Sequence, residues 1–177
     1  MSIRIAKKEV VAAMRLRIVS LIVLLFSIPS ASYADDLYVE GGVGIIHSRL
    51  SDAGFLRYYK DASPLLGLLS FYDFSYAHWN GRNENDAVAI GRGVLWSLTN
   101  EFYSSFEAGG AYLWQTTENL GTRAQFAFRL ALGRKTGTFD ISAGYIHYSN
   151  GQEIFRWSSD TPNKSENFVT IQIGRMF

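Results

Sequence analysis

The chain has 177 residues, 47% of them hydrophobic and 15% aromatic, with three prolines and no cysteine. The missing thiols exclude a disulfide-stapled fold, zinc-thiolate sites and thiol catalysis. Basic and acidic residues number 17 and 16, an even balance that carries no basic nucleic-acid footprint.

The first element reads as a leader. Arg4, Lys7, Lys8, Arg15 and Arg17 precede an apolar run from Ile18 to Ile28, and Ser32 and Ala34 are the small residues a signal peptidase needs. The run is shorter than the roughly 20 residues of a membrane-spanning helix. Residues 1–34 are therefore expected to be a signal peptide and residues 35–177 the mature domain. Met14 is an alternative start, since Arg15 and Arg17 still supply a basic region. The leader takes five of the basic residues and one of the acidic ones, so the remainder is acidic by three charges.

From there on, apolar and polar residues alternate with a period of two, and helical periodicity is absent. Eight strands are expected, at roughly 36–48, 54–61, 65–80, 86–98, 101–116, 121–135, 138–150 and 166–177. The second has the weakest pattern. In the sixth, Ala124, Phe126, Phe128, Leu130 and Leu132 share one face; Gln125, Ala127, Arg129 and Gly133 share the other. In the last, Val169, Ile171 and Ile173 oppose Thr170, Gln172 and Gly174. Many of these strands are long for a soluble protein and suit the roughly 9–11 residues of a tilted membrane-crossing strand. Eight antiparallel strands make a small transmembrane β-barrel filled by side chains.

A lipocalin-like barrel would turn its apolar face inward. Against that, the polar face carries glycines and charges able to pair inside (Glu107, Arg129, Asp140, Glu40, Asp73), and the apolar face carries aromatics near strand ends. The fold class is thus all-β: an eight-stranded antiparallel transmembrane β-barrel of the bacterial outer membrane. Arg92 does not fit, because it shares a face with Val88, Ile90, Val94 and Trp96; a bulge or a local flip would accommodate it. Arg123 and Arg129 are expected to neutralise interior acids. Gly91-Arg92-Gly93 reads as barrel packing, since no helix follows it.

The seventh strand carries the chemistry. His147 and Ser149 continue the apolar parity of Phe139, Ile141, Ala143 and Tyr145, so base and nucleophile share the lipid-facing side. With both termini in the periplasm, odd strands run outward and this pair lies at the extracellular rim, level with the acylated glycolipid of the outer leaflet. His47 and His78 show no metal-ligand spacing and read as rim residues; no metal site and no cofactor are expected. Arg156 and Lys164 either hold lipid phosphates or are simply solvated.

His147-Tyr148-Ser149-Asn150, followed by Pro162-Asn163, resembles the lipid A 3-O-deacylase family (PagL), whose members are eight-stranded outer-membrane barrels with a His-Tyr-Ser-Asn motif before a final strand. Weaker matches are Phe71-Tyr72-Asp73, Trp79-Asn80-Gly81, and Gln125-Phe126 with Arg129. The last 35 or so residues match closely and the rest in outline. The resemblance implies a serine esterase that removes the 3-O-linked acyl chain of lipid A, with lipopolysaccharide and the outer membrane as partners and no nucleic acid. It makes Ser149 the nucleophile, His147 the base, Asn163 and the Gly151 N–H the oxyanion donors, Phe126 a contact for the acyl chain and Asn150 a support. The family's acidic orienter falls on Asn167 in an ungapped alignment, with Glu166 one residue earlier. Parity favours Asn167, and Glu166 is the alternative if the strand starts with a bulge. A non-enzymatic barrel for adhesion or envelope structure and an acyl transferase remain the competing readings, and a homodimer is left open.

Overall fold

The computed structural model describes residues 35–48, 50–151 and 162–175; the expected signal peptide and Arg156 lie outside the described residues. Eight antiparallel strands close on themselves in chain order: β1 (Asp35–Ile45), β2 (Asp52–Leu65), β3 (Leu68–Trp79), β4 (Asn85–Ser97), β5 (Phe102–Leu113), β6 (Ala124–Thr136), β7 (Phe139–Ser149) and β8 (Glu166–Arg175). A 3-10 turn, Ile46–Ser48, follows β1, where the sequence pattern continued the strand. β1 pairs with β8, which leaves no open edge. One end carries tight connections, Leu66-Gly67 and Gly137-Thr138 among them; the other carries longer segments, 46–51, 80–84, 114–123 and 150–165.

The expected second strand, 54–61, proves to be the longest, with 14 residues. Its pattern is obscured because both faces carry large apolar groups, Phe55 and Tyr59 inward against Leu56 and Tyr58 outward. Its end is obscured by a register shift between Ala62 and Leu65 around Pro64, the kind of irregularity where a strand tolerates proline. The following turn sets Leu66 at φ 53° and Gly67 at φ 80°. Positive φ at both central residues is the geometry of a two-residue hairpin, and a leucine in that place hides the turn.

The interior is filled in three layers. Nearest the tight turns, Tyr38 and Tyr103 donate hydroxyl hydrogen bonds to Asp140, at 3.2 and 2.8 Å. At mid-height Arg57 contacts Glu40 at 2.6 Å, Asp73 at 2.7 Å and Glu107 at 3.0 Å. Arg129 contacts Glu40 at 2.9 Å and Glu107 at 3.1 Å. Nearest the long loops lies an apolar layer in which Trp79 stacks on Tyr148 with ring centroids 5.5 Å apart, and Phe168 packs edge-on against Phe55. The opposite parity of each strand is exposed and apolar, as with Phe106, Leu130, Ile141 and Ile171.

Two arginines depart from expectation. Arg92 needs neither a bulge nor a flip in its own strand: it stays on the outer face. Its guanidinium lies 5.6 Å from the Tyr72 ring centroid and donates to the Ser63 carbonyl at 2.7 Å. The β2 irregularity turns that carbonyl out of the ladder. Arg123 does not neutralise an interior acid. β6 begins at Ala124, so strand parity does not reach it, and its Nη1 instead donates to the Tyr112 hydroxyl at 3.3 Å on the outer wall.

Candidate active site

Near the long-loop end, β7 alternates between lumen and exterior. Ile146 and Tyr148 are buried in the apolar layer, while His147 and Ser149 sit partly exposed on the outer wall. The stacked Trp79–Tyr148 pair thereby fixes the backbone that carries both reactive side chains. Asn150 and Gly151 follow where the strand ends, with Gly151 at φ 68°, a conformation that glycine adopts without penalty.

Cross-strand register assembles the rest. His147 lies opposite Phe128 on β6 and opposite Asn167 on β8; Ser149 lies opposite Phe126. Phe128 stacks on the imidazole with centroids 4.5 Å apart. His147 Nδ1 is 2.8 Å from Asn167 Oδ1, and the Tyr145 hydroxyl donates to the same oxygen at 2.5 Å. An amide oxygen only accepts hydrogen bonds. Nδ1 therefore carries the hydrogen, and Nε2 is the basic nitrogen of the ring.

The amide itself is held at its other atoms. Asn167 Nδ2 donates to Ser165 Oγ at 2.7 Å, and its backbone N–H donates to Ser48 Oγ at 2.7 Å. Asn167 is consequently buried although it belongs to the outer face. Glu166 points the other way: its carboxylate is buried in the lumen and accepts from Asn119 Nδ2 at 2.9 Å. The strand is regular here and no bulge brings Glu166 round to His147.

Asn163 reaches the same corner from the segment after the last long loop. Its Oδ1 accepts the Asn150 N–H at 3.0 Å, which leaves Nδ2 as the donor end. Asn150 Nδ2 in turn donates to the Pro162 carbonyl at 3.2 Å. The segment is clamped to the β5–β6 connection by Gly121 N–H to Pro162 O and Lys164 N–H to Asn119 O, each 2.8 Å. Phe126 is exposed beside Ser149 on the outer face. Among the described residues, no hydrogen bond joins Ser149 to His147, and no cluster of three or more His, Asp or Glu is set to hold a metal ion. Apo catalytic hydrogen bonds are often loose and tighten with substrate.

Tyr145, Phe128, Ser48 and Ser165 are site residues that the sequence reading missed. Tyr145 was legible as a same-face neighbour two residues before His147. The others depend on register or on loop return, which alternation does not contain.

The sequence matches the lipid A 3-O-deacylase (PagL) family over residues 53–175. The chain belongs to that family. Membership in the lipid A 3-O-deacylases makes removal of an acyl chain from lipid A its activity and the outer membrane its location. Two solved structures share the fold. A crystal structure of the outer membrane enzyme PagL superposes with a TM-score of 0.57 at 18% identity, covering 80% of this chain and 99% of that one. A de novo designed transmembrane β-barrel gives 0.58 at 14% identity, with 85% and 100% covered. No curated protein sequence matches.

Proposed function

We propose that this lipid A deacylase is a serine-type esterase acting from the outer wall of the barrel at the extracellular rim. The observation that carries the reading is the outward-facing pair His147 and Ser149, with His147 Nδ1 held 2.8 Å from Asn167 Oδ1. Short turns at one end and long connections at the other are the usual periplasmic and extracellular ends of such barrels. The pair then stands at the level of the outer-leaflet glycolipid.

In this reading the Ser149 hydroxyl gives its proton to His147 Nε2 as Oγ attacks the carbonyl carbon of the 3-O ester. The oxyanion is met by Asn163 Nδ2 and the Gly151 N–H. The tetrahedral intermediate collapses, His147 returns the proton to the departing sugar 3-oxygen, and the acyl group stays on Ser149. Water, deprotonated by the same nitrogen, releases the fatty acid and restores the serine. Asn167 keeps the imidazole in the required tautomer. Being neutral, it stabilises the imidazolium less than a carboxylate does. Phe126 lies along the acyl chain, and Asn150 holds Asn163 in place. No step needs a metal, a cofactor or a second copy of the chain.

The serine mechanism has a direct test. A long-chain alkyl fluorophosphonate should label the Ser149 peptide and no other, and His147→Ala should abolish the labelling. Activity without labelling, or labelling elsewhere, would contradict the assignment.

A further inference from the structure

The two halves of the barrel carry the same pattern of side chains. Glu40 on β1 and Arg57 on β2 correspond to Glu107 on β5 and Arg129 on β6, and each arginine bridges both glutamates. Trp79 is the last residue of β3 and Tyr148 the last but one of β7, and the two rings stack across the lumen. The correspondence extends to the outer wall. Tyr76 and His78 stand on β3 as Tyr145 and His147 stand on β7, and Asp86 lies directly across from His78 as Asn167 lies across from His147.

The contacts match atom for atom. His78 Nδ1 is 3.1 Å from Asp86 Oδ1, and the Tyr76 hydroxyl donates to that same oxygen. In the first site, His147 Nδ1 and the Tyr145 hydroxyl converge on Asn167 Oδ1. Tyr76, His78 and Asp86 are all solvent- or lipid-accessible on the outer face. In a closed barrel of eight strands the β3–β4 and β7–β8 seams are four strands apart in either direction, so the clusters occupy opposite walls at the same end. Two elements differ. Gly54 lies opposite His78 on β2, where Phe128 lies opposite His147 and stacks on it. Two residues beyond His147 stands Ser149; two residues beyond His78 stands Asn80, whose Oδ1 accepts the Asp52 N–H at 3.0 Å.

We propose that Tyr76, His78 and Asp86 form a second, nucleophile-free acid–base site, which holds the same class of ligand as the first, an acylated amphiphile of the outer leaflet, without cleaving it. The proposal rests on the reading of His147 and Ser149 given above. With Nδ1–H directed at Asp86, His78 Nε2 is the acceptor for a ligand hydroxyl at the membrane surface. Cleavage is missing because the amide of Asn80 has no acidic hydroxyl to surrender. Asp86 is the stronger orienter of the two, since a carboxylate stabilises the imidazolium that Asn167 leaves unpaired.

The test installs the missing group. Full-length Ser149→Ala/Asn80→Ser protein, refolded in detergent, is treated with a long-chain alkyl fluorophosphonate. The new hydroxyl passes its proton to His78, its oxygen bonds to phosphorus and fluoride leaves. The peptide containing position 80 should be labelled, and adding His78→Ala should slow labelling by about 100-fold or more, the usual contribution of a general base. A folded, unlabelled double variant, when wild type is labelled at Ser149, overturns this proposal alone; wild type unlabelled at Ser149 removes the reading on which it rests. A second measurement leaves Asn80 untouched. Native mass spectrometry of Ser149→Ala protein with lipid A should show two bound copies, falling to one in Ser149→Ala/His78→Ala. Equal occupancy in the two variants contradicts the proposal.

Discussion

Three strands fix one imidazole: β7 carries His147, β6 supplies the Phe128 ring stacked on it at 4.5 Å, and β8 supplies the Asn167 amide at 2.8 Å. The Tyr145 and Ser165 hydroxyls then prevent that amide from flipping. Asn167→Ala is accordingly expected to lower kcat by about 10²–10⁴-fold, the range for disturbing a general base or its tautomer. Glu166→Gln, buried on the other side of the sheet, should leave kcat within a few-fold of wild type. The reverse ranking in a purified deacylase assay would move the orienting role to Glu166. Asn163→Ala should cost about 10²–10³-fold in kcat with KM little changed, as for the loss of one oxyanion donor; a change confined to KM would make Asn163 a binding residue instead. At this scale the side of the sheet was legible from parity alone, for His147, Ser149 and Asn167 alike. The partners Phe128 and Ser48 were not, because residue alternation fixes which face a side chain takes and says nothing of which residue stands opposite.

β7 and β2 mark the two extremes at the level of the element. β7 is read easily because one parity is apolar from Phe139 to Tyr145 while the other holds Asp140, Ser142 and Gly144. In β2 the inward parity holds Phe55, Arg57 and Tyr59, so alternation of hydrophobicity fails although alternation of burial persists. Arg57 was missed as the hub of the interior for that reason. The same element ends in an unfavourable turn, with Leu66 exposed and held at φ 53°. A non-glycine residue with a Cβ pays roughly 1–2 kcal/mol there, and asparagine tolerates it better. Leu66→Asn is therefore expected to raise stability by about 1 kcal/mol in urea unfolding from detergent, with deacylase activity unchanged. A loss of stability would mean that Leu66 makes a contact outweighing its backbone strain.

For the molecule as a whole, the strand count, the closed barrel and the lipid-facing direction of the apolar parity all followed from period-2 patterning and strand length. The charge balance of the lumen did not. Glu40, Asp73 and Glu107 share two arginines, Arg57 and Arg129, so the mid-layer is one carboxylate in excess. Removing an arginine strands buried carboxylates, and Arg57→Leu should cost about 3–5 kcal/mol. Asp73→Asn keeps an oxygen facing Arg57 while balancing the layer, and should cost less than about 1.5 kcal/mol. Equal losses for the two in equilibrium unfolding would show that charge balance does not govern the layer. In the proposed reading the chemistry is displaced from this filled interior to the wall, where a substrate embedded in the membrane would meet His147 and Ser149 without leaving it. Mass spectrometry of lipid A from Gram-negative cells expressing the chain tests that claim most directly. The account predicts lipid A lacking one 3-hydroxyacyl group with wild-type protein, and intact lipid A with Ser149→Ala at equal outer-membrane abundance. Deacylation that persists in folded Ser149→Ala would contradict it.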